Sequence, residues 1–358
     1  MKEEIKPVKF NRKYKVEKFI PEGITEDALK MITNVKAQKN PTQWDKTELI
    51  VFHVGGGGLG KNIQSTAVFE SIREKYGEEV DYHVITPYPD VYKGVEGITV
   101  FDPRVTKGYL QMIHNTYGEN NYTWLQAEPY THHKYISGKM HVIQAWKDLL
   151  GIKVLKNVAI EPMLNITEKE RKEAKQLIRS QGKPVILVQF DGGSVKVGRD
   201  KNGKEMFSIH KMFERNLPHD IAQQTANELL KKYSIIQVAK RGQPLIQGAL
   251  HVVDYDIRKI FALIAEAQII LCIDSFVQHA ACALGKKAIV LWGATNPATL
   301  GYSVHQNLYR IACPTPSCGR PNSFLMDVEP DGKVWQCPLG APCCNHDIAN
   351  ILKAVEEY

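Results

Sequence analysis

Two kinds of apolar pattern alternate along this chain. Short, continuous, largely β-branched runs occur at 47–54 (TELIVFHV), 80–86 (VDYHVIT), 97–101 (GITVF), 184–190 (PVILVQF), 233–240 (YSIIQVAK), 269–273 (IILCI) and 288–293 (AIVLWG). Runs of this kind suit strands buried on both faces of a parallel sheet. Between them the apolar positions take helical spacing. Ile63, Ala67, Phe69, Ile72 and Tyr76 make one stripe, and Ile257, Ile260, Phe261 and Ile264 make another. Further helices are predicted over 142–150, closed by Gly151, over 167–181, where Thr167 and Glu170 form a capping box, and over 220–233. The alternation predicts an α/β protein with two Rossmann-like units.

The boundaries follow from composition shifts. Residues 1–45 are basic and broken by Pro7, Pro21 and Pro41, so they read as an N-terminal arm, with a short helix over 23–38 capped by Thr25. A first Rossmann-like domain spans 46–162, a second 163–312, and a cysteine-rich tail with a final helix 313–358. Within the first domain, 105–135 reads as irregular and rich in aromatic and polar residues. Tyr109, His114, Tyr117, Tyr122, Trp124, Glu128, Tyr130, His132 and His133 suit either a sugar-binding wall or a helical cover over the sheet.

Length and charge narrow the partners. At 358 residues the chain has room for two cores. A net charge of +7 fits a cleft for nucleotide diphosphates, or peripheral contact with an anionic membrane surface approached from the cytosol. No basic and aromatic residues interleave as in a nucleic-acid module, so nucleic acid is not expected as a partner. The first residues lack an apolar stretch after their charges, so no secretory signal is expected and a cytoplasmic location is.

Two turns carry candidate chemistry. The run Gly55-Gly56-Gly57-Gly58-Leu59-Gly60-Lys61-Asn62 nearly completes a phosphate-binding P-loop, but Asn62 stands where a hydroxyl would ligate magnesium. A lysine at a helix start is electrostatically unfavourable, so Lys61 calls for an anion or carboxylate nearby. The second turn follows the strand 269–273. Asp274 and Ser275 can cap a small-residue helix over 276–284, closed by Gly285. A further buried strand then ends in Gly293-Ala294-Thr295-Asn296-Pro297. Polar groups at the C-terminal ends of parallel strands, beside a helix start, are where α/β sheets bind anionic ligands.

That second region, D-S-x-x-x-H-A-A-x-A-L-G-K followed by a strand and G-x-T-N-P, resembles the donor-site signature of the ADP-heptose:lipopolysaccharide heptosyltransferase-like family, glycosyltransferase family 9. The resemblance implies the GT-B architecture, with two Rossmann-like domains facing across a cleft. It implies an inverting glycosyltransferase that moves a heptose-like sugar from a nucleotide-diphosphate sugar to a glycan, lipid-linked or protein hydroxyl. It further implies donor contacts from Gly58, Gly60, Lys61, Arg215, Asp274, Ser275, His279 and Thr295, and no catalytic metal. Arg215 precedes Leu217-Pro218 as the family's basic residue precedes its Trp-Pro pair, while the turn Arg241-Gly242-Gln243 lacks the family's acidic residue. Lys61 stands where the family carries its proposed base, so the base is sought among Glu128, His132, His133 and Asp102.

Five of the seven cysteines lie in the tail: Cys313, Cys318, Cys337, Cys343 and Cys344. Clustered thiols in a chain without an export signal point to a metal, and four thiolates suit structural zinc or iron. The expected ligands are Cys313, Cys318, Cys337 and Cys344. Cys344 is preferred to Cys343 because it is expected to open the final helix, whose dipole stabilises a thiolate. Relatives with a cysteine-ligated metal finger at this place support the same reading. Two rival functions remain: a P-loop-like nucleotide-hydrolysing or kinase enzyme, and a non-catalytic nucleotide-sugar binder.

Overall fold

The computed structural model describes residues 47–153, 160–192, 195–199, 205–209, 215–309, 337 and 339–358. The N-terminal arm, Cys313 and Cys318 lie outside these residues.

The first unit is a four-stranded parallel sheet built from β1 (Leu49–His53), β2 (Asp81–Ile85), β3 (Thr99–Phe101) and β4 (Tyr122–Leu125), in the order β3-β2-β1-β4. Helix α1 (Leu59–Tyr76) follows β1 and buries Ile63, Phe69 and Ile72 against the sheet beside the fully enclosed Phe52 and Trp146. The 105–135 region departs from the irregular reading. It holds helix α2 (Tyr109–Tyr117), which covers the opposite sheet face, and β4. The helix is only nine residues long and the strand only four, lengths at which periodicity carries little signal. Helix α3 (Val142–Leu149) closes the unit.

The second unit is a six-stranded parallel sheet in the order β12-β11-β10-β5-β8-β9. Its strands are β5 (Val185–Gln189), β8 (Ser234–Ala239), β9 (Leu250–Val253), β10 (Ile269–Ile273), β11 (Ile289–Trp292) and β12 (Gln306–Tyr309). An antiparallel hairpin, β6 (Val195–Arg199) and β7 (Glu205–Ile209), is inserted after β5. Helix α4 (Glu168–Arg179) starts with the expected capping box: Thr167 and Glu170 satisfy each other's backbone N–H groups. Helices α5 (His219–Leu229), α6 (Ile257–Glu266) and α7 (Phe276–Ala283) complete the layers. The last helix, α8 (Ile348–Glu356), packs Ile351, Ala354 and Val355 into the core formed with Ala222, Ala226 and Leu229, so it belongs to this second unit. Asp347 caps it, and Cys344 instead ends a separate single turn, Pro342–Cys344. The helix-start argument for preferring Cys344 over Cys343 therefore falls.

The two units meet along α1 and α7. Gly60 is the close-approach residue: a Cβ there would lie 2.8 Å from His279 Cδ2. His279 Nδ1 bonds Tyr302 Oη at 2.9 Å, and the Tyr302 ring also touches His141 and His305 edge-on or tilted. A second seam is polar. Buried Arg258 pairs with Glu170 at 2.8 Å and donates to the carbonyls of Asp90 and Asn165. The Arg258 guanidinium holds the Glu170 carboxyl down at about 2. Among the described residues no helix is long and apolar enough to cross a membrane.

Candidate functional site

Each sheet has one place where neighbouring strands send their connections to opposite sides, and in α/β proteins ligands bind at such switch points. In the first sheet it lies between β1 and β4, in the second between β5 and β10.

At the first switch point the glycine loop after β1 meets the segment after β4. A cavity of about 470 Å³ opens there, lined in part by Gly55, Gly56, Lys61, Trp124, Gln126 and Glu128. Gly57 has φ +120°, and a Cβ on it would sit 2.7 Å from Lys61 Cδ. The glycines thus let the backbone fold over the lysine side chain. Lys61 is 4% exposed; its ammonium lies 2.8 Å from Glu128 Oε2, between the rings of Tyr130 (5.8 Å) and Trp146 (5.3 Å). The carboxylate that a lysine at a helix start calls for is therefore Glu128. Its other oxygen, Oε1, is buried and accepts no hydrogen bond among the described residues. Beside it, Gln126 Oε1 accepts from Trp124 Nε1 at 3.2 Å and faces His53 Nδ1 at 2.9 Å. Burial, ahead of the nearby Lys61 charge, lowers the His53 pKa.

This loop does not have the wiring of a P-loop. Asn62 donates to the Gly58 carbonyl at 2.9 Å and accepts from Thr86 Oγ1 at 2.6 Å, so its amide is spent inside the protein. Gly58 itself is the residue before α1, and its carbonyl also accepts from the backbone of Asn62.

At the second switch point, Asp274 follows β10 and is 2% exposed. Asp274 Oδ1 accepts from Gln278 at 2.7 Å, and Oδ2 lies 3.5 Å from Arg215 Nη1, accepting no hydrogen bond among the described residues. The helix cap is Ser275, which accepts from Val277 N and donates to Gln189 Oε1. Thr295, after β11, is also buried, with no partner for its hydroxyl among the described residues. Asp191 stands two residues beyond β5, the strand that pairs with β10. Burial raises the Asp191 pKa to about 6, and its Oδ1 accepts from Asn216 at 3.3 Å. Sequence reasoning passed over Asp191; its place right after a buried strand, at a switch point, was the available signal.

The two places share one aromatic wall. Burial pushes the Tyr130 phenol well above its ordinary range. Glu128 of the first unit and Asp274 of the second push the same way, while Arg215 opposes them.

Of the four base candidates only Glu128 lines the cavity. Both oxygens of Asp102, beyond the edge strand β3, are held by Arg104, whose hydrogen bonds lower its pKa. His132 caps the turn His133–Ile136 and faces Asp148 at 2.9 Å, and His133 is exposed and stacked on His132. His279 and Gly60 face each other in the seam between units, and burial lowers the His279 pKa to about 4. In the tail, Cys337, Cys343 and Cys344 pack together with Ala294 and Ala341. Among the described residues no three His, Cys, Asp or Glu side chains converge to hold a metal.

The architecture is that of the two-domain GT-B glycosyltransferases. Residues 253–324 match the sequence model of glycosyltransferase family 9 (heptosyltransferase), and this span contains the whole Asp274 motif, so the resemblance read from those residues holds. No curated protein matches the chain. A glycosyltransferase family 9 structure from Veillonella parvula is 13% identical over 87% of this chain and 96% of its own, with TM-score 0.58. The E. coli ADP-heptose lipopolysaccharide heptosyltransferase II is 13% identical, covering 75% and 92%, with TM-score 0.53. The dodecameric iron-containing heptosyltransferase TibC, solved with ADP-D-β-D-heptose, is 9% identical, covering 87% and 77%, with TM-score 0.58. At these identities the likeness is one of fold.

Proposed function

We propose that the protein is an inverting glycosyltransferase that uses a nucleotide-diphosphate sugar, of the class of the ADP-heptose bound to TibC. The observation that supports this best is the Arg215–Asp274 pair at the mouth of β10, whose aspartate lies inside the matched span. The 3.5 Å separation, with Asp274 Oδ2 accepting no hydrogen bond among the described residues, suits a site that completes its contacts with ligand. Arg215 meets the donor diphosphate, and Asp274 binds sugar hydroxyls, with Ser275 and Thr295 beside it. Gly58, Gly60, Lys61 and His279 support the cleft wall rather than touch the diphosphate.

In this reading an acceptor hydroxyl lies against Glu128 Oε1, while Lys61 fixes Oε2. The hydroxyl oxygen bonds to the anomeric carbon as its proton passes to Oε1. The bond from that carbon to the diphosphate oxygen breaks, and the electron pair leaves with the nucleotide diphosphate. Arg215 and the backbone N–H groups at the start of α7 take up the leaving charge without a catalytic metal. A P-loop-like hydrolase or kinase is disfavoured by the internal partners of Lys61 and Asn62. A non-catalytic binder is disfavoured by the unspent carboxylate oxygen of Glu128.

The thiols Cys313, Cys318, Cys337 and one of Cys343 or Cys344 are proposed to hold one structural zinc or iron; elemental analysis of protein purified without metal resin tests this. A cytoplasmic location and contact with an anionic membrane or a glycan, lipid-linked or protein acceptor belong to the same proposal. Calorimetry with ADP-heptose and ATP tests the function: donor binding and slow donor hydrolysis that persist in EDTA are expected. Magnesium-dependent ATP turnover would overturn it.

A further inference from the structure

The cavity at the first switch point carries information about the acceptor, and the reasoning rests on the glycosyltransferase reading above. Lys61 is the one cation among its described lining residues, and its charge is already committed to Glu128 at 2.8 Å. The ammonium is also enclosed by two aromatic rings and 4% exposed. A ligand phosphate could reach it only by displacing Glu128. The remaining lining is an indole (Trp124), an amide (Gln126), a carboxylate (Glu128), the small apolar Val54 and Ala127, and Gly55 and Gly56. His53, which faces Gln126, is held toward its neutral form by burial and adds no cation.

We propose that this cavity recognises an uncharged sugar residue and excludes acceptors carrying a phosphate or carboxylate at the reacting residue. An aromatic ring packs on the apolar face of a pyranose, while amide and carboxylate oxygens take hydroxyl donors. The Glu128 carboxylate, which lines the cavity, is the group best placed to accept from the reacting hydroxyl. An anion brought beside Glu128 meets like charge in a partly desolvated place, where such repulsion is strongest. The Lys61–Glu128 pair is therefore a selectivity device: it removes from the cavity the positive charge that an anionic acceptor would need.

The test follows the indole N–H resonance of Trp124 in the full-length protein, assigned by its loss in Trp124→Phe. Methyl α-glucoside should shift the Trp124 signal, and its 6-phosphate should need at least about tenfold higher concentration. In Glu128→Gln, which frees the Lys61 charge, the order should reverse. If the phosphate binds the unaltered protein as well as or better than the glycoside, or neither shifts the signal, the proposal is wrong. It is equally wrong if an uncharged serine tripeptide shifts the signal and the glycoside does not, since the acceptor is then a peptide. ADP binding, measured in parallel by calorimetry, separates this from the function itself: its absence removes the glycosyltransferase reading whatever the glycosides do.

Discussion

The two switch points hold the same chemical pair, one carboxylate and one cation, in opposite states. At the first, Lys61 and Glu128 are 2.8 Å apart and the cation is sealed between rings. At the second, Arg215 and Asp274 are 3.5 Å apart, the Asp274 oxygen facing the guanidinium accepts no hydrogen bond among the described residues, and the arginine side chain is 21% exposed. Each pair has one deeply buried member, Lys61 or Asp274, so what separates them is distance: the short contact is a fixed feature and the longer one can exchange partners. Under the proposed function, the first site takes a neutral ligand and a proton, and the second an anion. One fold makes a cleft with two different chemistries because the same strand-end position carries a rigid pair on one sheet and an open pair on the other.

The comparison breaks most visibly at Glu128. Glu128→Gln keeps the size and a hydrogen bond to Lys61 but removes the proton acceptor. Transfer should fall ~10²–10⁴-fold, with nucleotide-sugar affinity close to unchanged. A loss confined to donor affinity would move Glu128 out of catalysis. Arg215→Ala should do the reverse. Removing a charged hydrogen-bond donor weakens diphosphate binding by about 1.5–3 kcal/mol, roughly ten- to a hundredfold in Kd by calorimetry. An unchanged Kd would mean that the open pair is not the anion site.

The seam that holds the two sites in register can be tested separately. Gly60→Ala puts a Cβ 2.8 Å from His279 Cδ2, and overpacking of this kind costs about 1–3 kcal/mol. The melting temperature should fall, and His279→Ala in the same chain should recover part of the loss. Acid should loosen the same seam. Burial lowers the His279 pKa from 6.5 to about 4, so the unfolded chain takes up this proton first. The contribution is complete above pH 6.5 and is lost as pH falls toward 4.

Much of this architecture was legible in the chain because buried parallel strands write themselves as continuous apolar runs. β1, β5, β10 and β11 lie inside predicted segments for that reason. β4, β9 and β12 did not stand out: each is four residues long and lies at the edge of its sheet. Without β4 the first switch point could not be located, and so Glu128 stood level with Asp102, His132 and His133. Lys61 was seen to need a carboxylate, but sequence could not say which, since the partner lies 67 residues away. His279 and Gly60 stood out as motif residues, yet they serve the seam. A close approach of two helices and a ligand contact leave the same small-residue signature.

The smallest expected effect concerns Asp191, the second carboxyl at the switch point between β5 and β10. Burial raises its pKa from 3.8 to about 6, and it stands just beyond β5, the strand that pairs with β10. An ionised Asp191 would repel a diphosphate brought to Arg215, and a protonated one can donate a hydrogen bond to it. Binding should therefore be tighter below pH 6 and weaken as pH rises toward 7, by ~3–10-fold. By linkage, the bound diphosphate should raise the Asp191 pKa further, so binding should take up a proton near neutral pH. ADP-glucose is a suitable probe because its diphosphate carries no ionisation of its own in this range. Asp191→Asn should flatten the profile at the tight-binding level, since the amide keeps a donor and carries no charge. A profile equally steep in Asp191→Asn assigns the titration elsewhere. A profile flat in both proteins means that Asp191 lies outside the diphosphate's reach, and the open site then has only the Arg215–Asp274 pair to work with.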